Sequence, residues 1–457
     1  MLPGKVSSYI DTHREEFEHD LARFLEIPSV STLTKHEGDS RRAAEWVLEQ
    51  LEACGIEGRL YETALHPVVF AQSPEVPGAP VLLVYGHYDV QPPDPLDEWK
   101  TPPFSPDIRD GYIYARGATD DKGQFLTYIK AVQAVRGVGE TLPVNLKFLV
   151  EGEEEIGSPN LEKFLQTHRD DMLADAVVIS DGSQFGPDLP AITYGLRGLC
   201  YFQIDVQGPR FDLHSGAFGG ILENPVQALA NLLAKLKHPD DTVALPGFYD
   251  DVLPLERWER EEMASLPVDE EKIRQYLGVP RFCGEPGYTV TERKSARPTL
   301  DINGIWGGFS GEGAKTIIPG KAGAKVSMRL VPNQDPATIS RIFREFISAC
   351  VPAGVTVTIT NLHGADPVLV SRQTPAMRAA ERAIAAGFGK RPVFIREGGS
   401  IPVVNLIKKH LGQENILLLG WGRPDDGAHS PNERLSLDDF HRAIRSVAAL
   451  FYEIGAK

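Results

Sequence analysis

The chain has 457 residues, with 63 acidic against 47 basic side chains and a formal charge of −16. Its 42% hydrophobic and 24% charged content is ordinary for a globular protein, and the length allows two or three domains. So acidic a chain lacks the cationic surface that replaces counterions on phosphates, which argues against a nucleic-acid partner.

The opening Met-Leu-Pro-Gly-Lys runs into charged, helix-like sequence at His13-Arg14-Glu15-Glu16, without the apolar run of a secretory signal. No stretch approaches a membrane span either, so the expectation is a cytoplasmic protein with no membrane partner. Cys54, Cys200, Cys283 and Cys350 are widely spaced with no CxxC pair, as expected of reduced thiols. Helical patterns fill Val6–Phe24 and Ser40–Cys54, where Ala43, Val47 and Leu51 recur at helical spacing. Three runs rich in Val, Ile and Leu follow, at Val81–Val84, Val144–Val150 and Ala176–Ile179, separated by helical patterns at Gly123–Val135 and Asn160–His168. That alternation predicts buried strands with crossover helices covering a sheet. The pattern then changes to alternating segments, Cys200–Val206, Lys325–Val331 and Val355–Thr360, with a helical pattern at Pro225–Leu236 among them. The stretch 237–297 is charged and aromatic (Trp258, Tyr276, Phe282) and fits no element. A last apolar run, Ile416–Leu419, precedes a helical pattern over Leu437–Ile454, whose start from Ser436 to Asp439 has capping-box form with Asp for the usual Glu or Gln. The fold class expected is α/β: a mixed, mostly parallel sheet flanked by helices, built from 1–194 and 370–457. An α+β domain over 195–369 is inserted into it.

Four of the strand-like runs lead into acidic or histidine-bearing sequence, and in open α/β sheets ligands gather at the carboxyl ends of strands. Val84 leads to Gly86-His87-Tyr88-Asp89, Val150 to Glu151-Gly152-Glu153-Glu154-Glu155, Ile179 to Asp181, and Leu419 to Ala428-His429-Ser430. Thr119-Asp120-Asp121-Lys122-Gly123 stands just before a helix. Each has a plainer reading alone: a solvated acidic turn at 151–155, a helix cap at Asp120-Asp121, a turn residue at Asp181, a loop histidine at His429. Together they offer imidazole and carboxylate without thiolate, which suits zinc, manganese or cobalt in a catalytic rather than a structural site. One bridging Asp with two His and two more carboxylates is enough to hold two ions and leave a place for a water whose pKa they lower. A further carboxylate can take that water's proton and deliver it to a leaving group. The chemistry described is that of a hydrolase.

The stretches 85–92 (Tyr-Gly-His-Tyr-Asp-Val-Gln-Pro), 116–123 (Arg-Gly-Ala-Thr-Asp-Asp-Lys-Gly), 151–158 (Glu-Gly-Glu-Glu-Glu-Ile-Gly-Ser) and 428–433 (Ala-His-Ser-Pro-Asn-Glu) resemble the co-catalytic metallopeptidases. That family includes the carnosine and cytosolic nonspecific dipeptidases, bacterial dipeptidases, glutamate carboxypeptidase, aminoacylase and succinyl-diaminopimelate desuccinylase. The resemblance covers nearly the whole chain and is closest to the dipeptidase branch, through 192–198, 212–216, 313–319 and 397–402. It implies two divalent metal ions per subunit, Zn2+ first with Mn2+ or Co2+ as alternatives. Asp120 is then the bridge, with His87 and Asp181 on one ion and Glu155 and His429 on the other. Glu154 is implied as general base and then acid, Asp89 as the group that orients His87, and the Asp120–Asp121 peptide as cis.

The inserted domain is implied to be a lid and dimerisation domain. From it His214 would reach the partner's site in a homodimer and stabilise the oxyanion, the plainer reading being an exposed turn histidine. Arg329 and Thr316 are implied to hold the substrate's C-terminal carboxylate, unless Arg329 is a plain exposed arginine. Glu397 and Ser400 are implied to line the pocket near the free amine, unless their loop is purely a backbone device. Asp rather than Glu at position 181 points to dipeptidases or aminopeptidases. The expected function is a dinuclear dipeptidase acting on unblocked dipeptides or small peptides. The alternatives are an amidohydrolase of N-acyl or N-carbamoyl amino acids and a non-catalytic peptide-binding relative. The other histidines, including His13, His36, His66, His238 and His441, are expected at the surface.

Overall fold

The computed structural model describes residues 2–399 and 401–456. The chain divides into two compact units, one of Met1–Tyr194, Val370–Ile395 and Pro402–Lys457, the other of Gly195–Leu369 and Arg396–Ile401. The short stretch Arg396–Ile401 departs from the expected boundaries, which put everything after 369 in the first unit.

The first unit is built on a sheet whose central strands are apolar on both faces; Leu82, Leu83, Val84 and Tyr85 are fully buried. The strands stand in the order Glu57–Tyr61, Val68–Gln72, Asn145–Glu151, Val81–His87, Ala176–Ile179, Ile416–Leu419, Ala191–Leu196. The middle four are parallel, with Val84 opposite Phe148 on one side and Val178 on the other, and Leu417 opposite Val178. On both flanks the pairing is antiparallel, so the parallel character predicted for the sheet is confined to its centre. Because the four central strands share one direction, the segments following His87, Glu151, Ile179 and Leu419 emerge at one edge. That is how residues remote in sequence come together.

Helix Lys122–Gly137 is buried along nearly its whole length and packs against Gly4–Thr12, Arg14–Leu25, Val81–His87 and Leu437–Gly455. The N-terminal helical pattern breaks at His13 into two helices. Helix Leu437–Gly455 begins at Ser436, whose Oγ accepts from the Asp439 amide at 3.3 Å. The Asp439 carboxylate turns to Arg423 and Arg442 instead of back to the cap, so the capping box is one-sided.

In the second unit four antiparallel strands lie in the order Thr299–Gly307, Lys321–Leu330, Gly198–Gln207, Thr356–Ala365. Cys200, Phe202, Ile204 and Val206 alternate inward, the period-two signature of a half-buried strand, and Phe202 stacks on Phe343 of helix Pro336–Cys350. The stretch read as fitting no element contains three short helices, Arg257–Ser265, Glu270–Leu277 and Val290–Ser295. They are rich in charge and offer few apolar positions to betray a period. A complete capping box of Thr289 and Glu292 and the ion pairs Arg260–Glu292 and Arg297–Glu285 hold this region. All four cysteines are free. Among the described residues no helix is long and apolar enough to cross a membrane.

Candidate metal centre

His87 ends its strand, Asp181 follows Ala176–Ile179, and Glu154 and Glu155 open the single turn Glu154–Ile156 that follows Asn145–Glu151. Asp120 precedes the long buried helix, and its peptide to Asp121 is cis. His429 stands in the loop beyond Ile416–Leu419 with φ of 62°, a left-handed conformation that costs a non-glycine residue about 1–3 kcal/mol and persists only where its surroundings impose it. The loop is imposed here by Asn432, which accepts from the Lys100 amide and donates to the Glu98 carbonyl. Beside Asp181, the backbones of Gly182 and Gly420 approach so closely that a Cβ on Gly420 would fall 1.9 Å from the Gly182 carbonyl carbon. Only glycine allows that approach.

Two groups of donor atoms result, each with its atoms within 4.8 Å of one another: His87, Asp120 and Asp181, and Asp120, Glu155 and His429. Asp120 is common to both. Its Oδ1 lies 3.3 Å from His87 Nε2 and its Oδ2 2.9 Å from His429 Nε2, which in turn is 3.4 Å from Glu155 Oε2. His87 Nδ1 meets the Asp89 carbonyl at 3.1 Å and its carboxylate at 3.3 Å, leaving Nε2 to face Asp120. Gln91 donates to Glu155 Oε2 at 2.7 Å. Two of the plainer readings do not describe the structure: Asp121 makes no side-chain cap and instead accepts from the His87 amide, and Glu151 and Glu153 are buried rather than solvated, whereas His429 is indeed an exposed histidine in a loop.

The electrostatics of the cluster favour added positive charge. Burial, and then the charge of Asp120, pushes the Asp181 carboxyl up to about 6 and raises Glu155 as well. Glu154 is raised by burial and by Asp181 and Asp89, with His87 opposing. Asp120 is held below the usual carboxylate range: burial works against its charge, but His429 and His87 outweigh it. Burial likewise opposes charge on His87, yet Asp120 and Asp89 hold its pKa well up. Carboxylates crowded in this way are a site for cations. The residues fit two divalent ions: His87 Nε2 and Glu155 Oε1 are buried without a hydrogen-bond partner in the protein, and the donors are imidazole and carboxylate.

Sequence reasoning missed the side chain that fastens the acidic turn. Glu153 is buried and accepts from Thr63 Oγ1, the His66 amide, and both the backbone and side-chain amides of Asn160. What looked like a third acid in a row is an anchor, and no local pattern distinguishes it from its neighbours. Glu151 is pushed up to about 8 by burial and receives Tyr85 Oη–H and Ser158 Oγ–H. The expectation of surface histidines fails at His66, which is buried, and at His441, which is fully buried.

His214, Thr316, Arg329 and Glu397 belong to the second unit. His214 is exposed, and its Nδ1 accepts from the Gly216 amide at 2.9 Å, which leaves the ring proton of a neutral imidazole on Nε2. The structure brings Thr316 beside it, since Leu213–His214 pairs with Ile317–Ile318 and the Thr316 carbonyl accepts from Ser215. Arg329 is half-buried, with its strand registered against Leu199 and Thr299. Arg197 is pushed down to about 10 by burial and then by the charge of Arg329. The Glu397 carbonyl accepts from the Arg197 amide. Ser400 lies outside the described residues.

The family model described as Peptidase family M20/M25/M40 matches residues 83–453. The chain is 34% identical to the Cys-Gly metallodipeptidase dug1 of Schizosaccharomyces pombe, over 100% of this chain and 99% of that protein. The crystal structure of human carnosine dipeptidase 1 aligns with a TM-score of 0.85 at 32% identity, covering 100% of both chains. The M20 family metallo-carboxypeptidase Sso-CP2 of Sulfolobus solfataricus aligns at 0.86 and 32% identity, covering 97% of this chain and 100% of its own.

Proposed function

The chain belongs to peptidase family M20/M25/M40 and is a hydrolytic metallopeptidase, and we propose that it cleaves unblocked dipeptides with two divalent ions held in the first unit. The observation that carries this reading is one carboxylate, Asp120, common to two donor groups that each add a histidine and a second carboxylate. His87 and Asp181 would hold one ion, Glu155 and His429 the other. Zn2+ is the ion this donor set suits first, with Mn2+ or Co2+ as alternatives. When bound, the ions polarise the scissile carbonyl and acidify the attacking water.

Glu154 matches the position that the family resemblance implies for the general base, and it sits on the same turn as Glu155 without belonging to either donor group. It takes the proton of the attacking water and delivers it to the departing amine. Asp89 holds His87 in the orientation that turns Nε2 toward Asp120. The second unit acts as lid and dimerisation domain. Large apolar side chains, among them Phe211, Ile221, Ile305 and Phe309, are exposed on it, and Thr299–Gly307 is an edge strand. A homodimer covers that surface and carries His214 to the partner's site, where its Nε2–H donates to the oxyanion. Arg329 and Thr316 receive the substrate carboxylate, and Glu397 serves its free amine. Free cysteines and the acidic composition suit a cytoplasmic location.

The experiment is hydrolysis of alanyl-leucine beside N-acetyl-alanyl-leucine, using protein stripped by chelator and reloaded with Zn2+ or Mn2+. Cleavage of the free-amine form alone is expected. Preference for the acetylated form overturns the dipeptidase reading and favours an N-acyl amidohydrolase. The likeness to a metallo-carboxypeptidase supports one second reading, release of the C-terminal residue from longer peptides, which a tripeptide in the same assay separates.

A further inference from the structure

We infer that Glu433 is a positioning residue for the metal centre: its carboxylate fixes the backbone of the loop that bears Asp120, and so determines where the shared ligand stands. Glu433 is fully buried. Its Oε1 accepts from the amides of Thr119 at 2.9 Å and Asp120 at 3.1 Å. Its Oε2 accepts from the Gly117 amide at 2.9 Å and from Arg116 Nη1 at 2.7 Å. The Glu433 carbonyl also accepts from the Ala115 amide. One residue thus receives five donors from the run 115–120.

An ionised carboxylate is the side chain that accepts at every lone pair and donates nowhere, which is what four converging N–H groups require. Arg116, itself buried, supplies the opposite charge, so the carboxylate is not stranded. Position matters as much as chemistry. Glu433 lies in the same loop as His429, so the segment carrying one ligand grips the segment carrying the other through its backbone. Fixing the two backbones relative to each other sets the gap that the His429 and Asp120 side chains span where Nε2 comes within 2.9 Å of Oδ2. Because Asp120 is common to both donor groups, a shift of its loop disturbs both ions together, whereas a lost ligand such as Asp181 disturbs one first. The inference rests on the reading of Asp120 as the shared ligand.

The test is calorimetric titration of chelator-stripped protein with Co2+, with the visible absorption of the bound ion as a second readout. In Glu433→Gln the side-chain NH2 faces two of the four donors. Outer groups that orient ligands typically change metal affinity by about 10–100-fold, and a loss of that size at both Co2+ sites, with an altered spectrum, is expected. Asp439→Asn is the comparison, a buried carboxylate on Arg423 that meets none of the metal donors. It should lower the unfolding midpoint and leave both affinities within about twofold. Should Glu433→Gln not fold, Glu433→Gln with Arg116→Met removes the unpaired guanidinium and is read the same way. Two Co2+ ions bound with unaltered affinity and spectrum, in a variant that loses only thermal stability, overturn the inference and leave Glu433 a structural staple. Failure of the unaltered protein to bind Co2+ is a different result, and removes the dinuclear reading itself.

Discussion

The amide of Glu155 donates to Asp89 Oδ2 at 3.1 Å, so the carboxylate beside His87 also grips the turn that carries Glu154 and Glu155. Asp89 Oδ1 accepts from the Glu154 amide as well, at 3.3 Å, and stands 3.3 Å from His87 Nδ1. One side chain therefore couples a ligand of the first donor group to a ligand of the second and to the proposed base. Asp89→Ala removes all three contacts. It should cut kcat/KM and the affinity for metal together by about 10–100-fold, measured by steady-state hydrolysis and by Co2+ titration. A fall in kcat with metal affinity intact would limit Asp89 to placing Glu154.

Glu154 itself belongs to neither donor group. Glu154→Gln should keep two ions per chain by atomic emission while turnover of alanyl-leucine falls by about 10²–10⁴-fold, the usual contribution of a general acid–base group. Turnover within a few-fold of the unaltered protein would take the proton-transfer role away from this residue.

The contrast between these residues and Glu433 shows what a sequence makes legible. Four of the five donors follow apolar runs, and parallel strands must deliver their ends to one edge, so their grouping could be expected before any distance was known; Asp120, just before a helix, carried no such signal of its own. Glu433 works through amides that lie far along the chain, and Glu153 through the remote His66 amide as well as the nearer Asn160, and nothing in their neighbours announces it. The helices between Arg257 and Ser295 escaped because they are short and mostly charged: Ile273, Tyr276 and Leu277 make a single i, i+3, i+4 set, too brief to stand out, and two of the three are exposed. His441 was legible and was passed over. Leu437, Phe440, His441 and Ile444 recur at helical spacing, and all four are buried. Residue type suggested surface; position on the helix indicated core.

Glu153 offers a stability test free of catalysis. Replacing it with Leu removes the acceptor from the buried His66 amide and from Asn160. Each buried donor left without a partner costs about 1–3 kcal/mol. Urea unfolding of the metal-free protein should move to a clearly lower midpoint, and an unchanged midpoint would mean that water or a rearranged loop satisfies these groups.

Complementation tests the proposed role of His214 across a dimer. Glu154→Gln and His214→Ala homodimers should each be nearly inactive. Mixed and allowed to exchange, they form hybrids in which one site has its own Glu154 and the partner's intact His214. With random exchange in a two-fold dimer, activity should recover to about a quarter of the unaltered level. No recovery, although light scattering and mass measurements show hybrids, would place His214 and Glu154 in the same chain's site or remove His214 from catalysis.

His441 sets a prediction for acid stability. It is fully buried on the inner face of Leu437–Gly455, with Nε2 2.7 Å from Glu18 Oε1 of helix Arg14–Leu25. Burial lowers its pKa below the ordinary 6.5, Arg14 and Arg445 add to that, and Glu18 opposes them without reversing the direction. The folded protein therefore binds this proton less readily than the unfolded chain does. The stability His441 contributes is complete above 6.5 and is lost as the pH falls through that value toward the lower folded pKa. His441→Phe keeps the buried ring and deletes the titration, leaving the partly exposed Glu18 to water. Thermal unfolding of the metal-free proteins at about pH 7.5 and about pH 5.5 should show a smaller loss on acidification in the variant than in the unaltered chain. The metal-centre carboxylates titrate alike in both proteins and cancel in the comparison. Equal losses would mean that His441 takes up its proton without disturbing the packing of the two helices.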